Sequence, residues 1–112
     1  MVLSFLHAYL ITILIETTAL FFLVGKTHHS TTLIIRNSLI ANTLTLPFVW
    51  FVFPVLGLTY LFTIILSEIF VLVVETALYF RLFNMPIREA FVASLVCNTL
   101  SFSAGELFAY LF

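Results

Sequence analysis

The chain has 112 residues, 63% of them hydrophobic and 8% charged, with a mean hydropathy of +1.27. A soluble domain carries about a quarter of its residues charged; this chain cannot cover itself with polar surface, so lipid is its expected solvent. A net charge of −1 with four basic residues excludes a nucleic-acid face, which needs a basic patch, and a lone Cys97 excludes an internal disulfide framework.

A bilayer core of about 30 Å takes roughly 20 helical residues, and the punctuation of the chain predicts four such spans. The first runs from Val2 to Val24 and ends at "GKTHHSTT", with Gly25 as a C-cap. It lacks a basic leader and a small-residue cleavage site, so it is expected to be a retained span and not a signal peptide. The second runs from Leu33 to Phe53 and stops at Pro54 and Gly57. The third, Leu58 to Phe83, ends at "NMP", where Asn84 suits a left-handed cap. The fourth opens near Pro86, a good first-turn residue, and continues to Phe112.

Basic residues flank the first and third connections: Lys26 and Arg36, then Arg81 and Arg88. The middle connection, "FPVLGLTY", is uncharged. The positive-inside rule therefore predicts a multi-pass protein of the cell (inner) membrane with both termini outside.

The second span contains "SLIANTLT", Ser38 to Thr45, and the fourth "SLVCNTLS", Ser94 to Ser101, identical at five of eight positions. Superposing Glu16 on Glu75 also superposes Thr17 on Thr76, Phe21 on Phe80 and Leu23 on Leu82. Leucine matches mean little between apolar spans, but Glu-Thr and Ser-x3-Asn-x2-Ser/Thr are rare in lipid. The expected fold is an all-α integral membrane bundle of four transmembrane helices. It is built of two directly repeated, parallel hairpins, residues 1–56 and 57–112, related by pseudo-twofold symmetry along the membrane normal.

A charge at mid-bilayer costs about 2.5–3.5 kcal/mol, so such residues face the bundle interior and mark function. Glu16 and Glu75 hold equivalent places in the two hairpins; Glu68 lies two turns before Glu75 on the same face. Ser38, Asn42 and Thr45 form one stripe of the second span, and Ser94, Asn98, Ser101 and Gly105 form its counterpart on the fourth. Asparagine amides donate to carboxylates, so Glu16 is expected to pair with Asn42 and Glu75 with Asn98, or crosswise. Pro47 deprives the Thr43 carbonyl of its helical donor, which within lipid needs another donor, water or a cation. The expected binding set is Glu16, Glu75, Glu68, Asn42, Asn98, Thr45, Ser101 and Thr43.

Oxygen ligands of this kind favour protons and hard cations over soft metals. The leading expectation is transport or permeation of a proton, a hard cation or a small polar solute. The alternative is an assembly subunit of a larger membrane complex, or a homo-oligomer, with the polar residues as interhelical glue. An intramembrane enzyme acting on a lipid is the weakest reading, because no nucleophile or phosphate-binding group accompanies the carboxylates. No P-loop, dinucleotide turn, haem-spaced histidine pair or Cys/His metal signature is present, so no cofactor is expected. The lipid bilayer is the expected partner. His28 and His29 read as a solvated turn, and His7 as a hydrogen-bonded structural residue.

Overall fold

A computed structural model describes residues 4–24 and 30–111. The described residues fold into four long helices. Helix α1 is Phe5–Val24, α2 is Thr31–Pro47, α3 is Tyr60–Leu82 and α4 is Ile87–Leu111. All four helical runs are long and apolar enough to cross a membrane. The proposed Gly25 cap, Lys26, His28 and His29 lie outside the described residues.

Local chemistry starts and stops each helix. The Ser30 hydroxyl accepts from the Leu33 amide at 3.1 Å and caps α2; Thr59 does the same for Phe62 at 3.3 Å and caps α3. Ser4 accepts from the His7 amide at 3.2 Å, and its hydroxyl shares a 2.6 Å hydrogen bond with His7 Nδ1. His7 is thus tied to its own helix start. Asn84 takes φ 53° after α3, the left-handed conformation expected of it.

The second span departs from expectation at its far end. It does not stop at Phe53: beyond Pro47 the helix widens into a π-turn, Phe48–Val52, then tightens into a 3-10 turn, Phe53–Leu56. Pro47 lacks the N–H that would close its own α-turn. The Phe48 amide reaches the Thr45 carbonyl and the Phe53 amide the Phe48 carbonyl, so the ladder changes register without breaking. Pro54 stands at the opening of the 3-10 turn, where a missing N–H goes unnoticed. The stop falls at Gly57, with φ 77°.

Each helix packs on two neighbours around a closed ring: α1 on α2 and α4, α3 on α2 and α4. The longest dimension is 42 Å, close to a whole bilayer with its interfaces. The distribution of polarity is the reverse of a soluble protein's. Glu16, Asn37, Ser38, Asn42, Thr45, Ser67, Glu75, Ser94 and Asn98 are buried, while Leu6, Leu14, Phe22, Ile69, Val73 and Leu107 face outward. Burial of this kind makes sense only when the surroundings are apolar.

The apolar core fills the end that carries the α1–α2 and α3–α4 connections. There Leu20, Val24, Ile34, Tyr79, Phe83 and Met85 close around the small side chains of Ala41, Ala90, Ala93 and Cys97. Small residues let backbones approach: the Cys97 thiol lies 3.9 Å from the Glu16 carbonyl, and the Ser94 hydroxyl donates to the Leu72 carbonyl at 3.3 Å.

Gly57→Ala is expected to cost about 1 kcal/mol, the penalty for a side chain in left-handed backbone. Nothing stands within 4 Å of the added carbon, so the loss is conformational alone, and Gly57→Asn should lose less. Thermal unfolding in detergent checks the order.

Candidate functional site: a carboxyl pair at the floor of a one-sided cavity

Glu16 on α1 and Glu75 on α3 project into the bundle at the same level, with 1% and 0% of their surface exposed. The two carboxyl groups are neighbours. Each of their four oxygens meets a polar group from another helix. Tyr79 Oη donates to Glu16 Oε1 at 3.2 Å and Ser101 Oγ to Glu16 Oε2 at 3.2 Å. Asn98 Nδ2 donates to Glu75 Oε1 at 3.1 Å, and Thr45 Oγ1 lies 3.5 Å from Glu75 Oε2. Asn42 stands beside Glu16. All four helices contribute to this one layer.

The amides are held by their own helices. Asn42 Nδ2 donates to the Ser38 carbonyl at 2.8 Å and reaches Ser38 Oγ at 3.3 Å; Asn98 Nδ2 does the same to Ser94, at 2.8 and 3.1 Å. The Ser-x3-Asn spacing thus turns each amide back along its helix while leaving it free to face a carboxylate. Thr45 Oγ1 also donates to the Ala41 carbonyl at 2.8 Å. One hydroxyl has one proton, so the shorter bond holds it and the Thr45–Glu75 contact is the loosest of the four.

Above this layer, toward the end that carries the α2–α3 connection, a cavity of about 740 Å³ opens between the helices. Glu16, Asn42, Thr45, Asn98 and Ser101 form its floor. Glu75 sits behind them and does not line it. Glu68 stands on the cavity wall, half-buried, and among the described residues it has no hydrogen-bond or ion-pair partner. Val49, Trp50 and Pro54, carried by the π- and 3-10 turns, line the wall nearer the mouth with Glu106.

Six of the eight expected residues therefore meet in one layer: Glu16, Glu75, Asn42, Asn98, Thr45 and Ser101. Glu68 shares the cavity but none of the layer's hydrogen bonds. Thr43 stands apart: it is exposed, its hydroxyl shares a 2.7 Å bond with Tyr9, and it does not line the cavity. A helix rotates by about 100° per residue, which carries position 43 away from the face of Asn42.

Two residues of the site escaped sequence reasoning. Tyr79 is fully buried, and it lies one turn beyond Glu75 on the same stripe, a signal that was readable. Ser67, 3% exposed and on the cavity wall, lies in an unremarkable apolar run. Among the described residues no three His, Cys, Asp or Glu side chains converge in a way that could hold a metal ion. Comparison with known proteins adds nothing to this geometry: no protein-family model matches the chain, and neither does a curated protein or a solved structure.

Tyr79→Phe removes one donor from Glu16 and should lower stability by on the order of 0.6 kcal/mol, the average for such bonds in lipid. Glu16→Ala leaves the Tyr79 hydroxyl without an acceptor, while the Ser101 hydroxyl keeps the Asn98 carbonyl at 3.3 Å, and should cost roughly 1–3 kcal/mol, the penalty for an unsatisfied buried group. Unfolding titrations in mixed micelles measure both; an undiminished stability of Tyr79→Phe would mean that the hydroxyl's bond to Glu16 contributes nothing.

Proposed function

We propose that the chain is a small multi-pass membrane protein that transports or conducts a proton, a cation or a small polar solute through the site between two repeated hairpins. The single observation that carries this reading is a pair of buried carboxyls set beneath a cavity open at one end. Beyond the pair lies a packed apolar plug of Leu20, Ile34, Tyr79 and Phe83. Access from one side and closure on the other is the arrangement an alternating-access site requires.

What supports the repeat is the contact pattern. Taking residues 1–56 and 57–112 as copies, Thr45 and Ser101 are equivalent, and each reaches the glutamate of the other hairpin: Thr45 toward Glu75, Ser101 toward Glu16. Asn42 and Asn98 are equivalent, and each attends the glutamate of its own hairpin. Among the described residues, two of the three unsatisfied buried groups correspond as well, the third being Asn37 Nδ2, whose equivalent is Ala93. Thr17 Oγ1 and Thr76 Oγ1, each next to its glutamate, are buried without a partner among the described residues. A pseudo-twofold axis between the carboxyls accounts for all three correspondences.

The layer also has a place for an exchangeable proton. A proton on Glu75 would donate to Thr45 Oγ1, whose own hydrogen is taken by the Ala41 carbonyl, and would tighten the loosest contact of the network. In this reading the membrane is the cell (inner) membrane, and the cavity opens on the outer side, where both termini lie.

One observation favours the assembly-subunit reading instead: the protein already supplies a polar neighbour to every oxygen of Glu16 and Glu75, as interhelical glue would. Glu75→Gln separates the two, since the amide keeps the shape and can still accept from Asn98. In proteoliposomes the transport reading expects flux to fall to background with the bundle still folded. Unchanged flux refutes it, and stoichiometric co-purification with a large complex from mild detergent, without flux from the chain alone, would put the assembly role in its place.

A further inference from the structure

We infer that the cavity above the carboxyl pair binds an organic cation with an apolar body, held between Glu68, Glu106 and Glu16 against the aromatic side chains of Trp50 and Tyr60. This rests on the transport reading of the same cavity and replaces its open solute class with one chemistry. Four observations converge.

Size comes first. A volume of about 740 Å³ falls within the roughly 300–1,000 Å³ of cavities that enclose drug-sized molecules, and it far exceeds what a bare ion fills.

Charge comes second. Three glutamates line the space, and among the described residues no basic side chain does. Arg36, Arg81 and Arg88 all lie toward the opposite end of the bundle. A ligand carrying positive charge is the one that these walls attract, and a desolvated cation gains further from aromatic faces.

Wall chemistry comes third, and it discriminates between kinds of cation. A hard metal ion wants six or more oxygens drawn close around it. Here the carboxylates are spread from floor to mouth, the intervening wall is mostly Leu46, Val49, Ile64 and Val71, and no metal-holding group of side chains occurs among the described residues. Apolar wall with charges set apart suits a cation whose charge is one part of a larger hydrophobic body.

The fourth observation is independent of the acids. Ser67 is 3% exposed and lines the cavity, yet among the described residues its hydroxyl has no hydrogen-bond partner. A helical hydroxyl can bond back to the carbonyl four residues earlier, and on this helix Thr63 does so to Thr59 at 2.9 Å. A buried polar group is normally satisfied. Ser67 therefore presents a free hydroxyl to whatever occupies the space, next to Glu68 along α3.

Trp50 is the only tryptophan and lines this cavity, so its fluorescence reads occupancy directly. The full chain in detergent is titrated with tetraphenylphosphonium and, separately, with tetraphenylborate, an anion of the same shape. Saturable quenching by the cation is expected, with the anion at least about tenfold weaker. In Glu68→Gln the cation should bind about tenfold more weakly, the loss of one desolvated charge contact. Glu89→Gln, in a separate cavity at the opposite end, should bind like the parent. Equal binding of the two ions, or a Glu68→Gln affinity matching the parent's, overturns the inference; the comparison of ions needs no variant to fold. Liposomes separate this failure from that of the transport reading. Cation binding without any flux upholds the ligand class and refutes transport. Proton or potassium flux that tetraphenylphosphonium neither inhibits nor accompanies upholds transport and refutes the ligand class.

Discussion

The fold depends on one physical constraint: two carboxyl groups are buried inside the bundle, and every helix must come close enough to satisfy them. Glu16 and Glu75 are as fully buried as Leu20 of the core. In lipid an unsatisfied polar group costs several kcal/mol, so the donors of Tyr79, Asn98 and Ser101 are not decoration on a bundle that would form anyway. Interhelical packing has little hydrophobic driving force in a membrane, because acyl chains are as apolar as leucine. The polar layer supplies what fixes the rotation of all four helices about their axes. Once those rotations are set, the small residues of α4 fall against α1 and α3, and the large ones on the other faces turn to lipid.

Much of this was legible in the sequence, for a physical reason. Glutamate and asparagine are so costly in hydrocarbon that their positions report the bundle interior almost directly, and the Ser-x3-Asn-x2-Ser/Thr spacing marks the inward faces of α2 and α4. Helix ends were readable where a backbone requirement stood behind them, as at Asn84 and Gly57. The failures share a cause as well. Thr43 was chosen for its carbonyl and not for its face, and a carbonyl freed by Pro47 can be accommodated by widening the helix into a π-turn. The same oversight put the end of the second span at Phe53: a proline stops a helix only where its N–H is needed, and at the head of a new turn it is not. Tyr79 was missed because tyrosine is common near membrane surfaces, so its type alone gave no sign that its hydroxyl reaches across the bundle.

The proposed duplication explains the floor of the cavity but not its mouth. The equivalents of Thr45 and Asn42 are Ser101 and Asn98, and these hold the carboxyls in matching ways. Tyr79, however, has Leu20 as its equivalent; both are fully buried, and only one offers a hydroxyl. Glu16 thus gains a donor that Glu75 lacks, and the two carboxyls are chemically distinct. A site whose two acids differ can hold one proton in a preferred place, which a symmetric pair cannot.

The mouth diverges through the backbone. Position 47 is proline and its equivalent, position 103, is serine; α2 therefore changes register where α4 runs on unbroken to Leu111. The π-turn carries Val49 and Trp50 to the cavity wall, and the 3-10 turn carries Pro54 there. Opposite them α4 presents Gly105, where even a methyl carbon would meet nothing within 4 Å. Space on one side and a redirected helix on the other leave the upper half of the bundle unfilled, while unbroken α-helix and small residues at the helix contacts let the lower half close. The cavity opens on the side where α2 changes register beyond Pro47 and α4 carries Gly105, above a polar layer to which all four helices contribute.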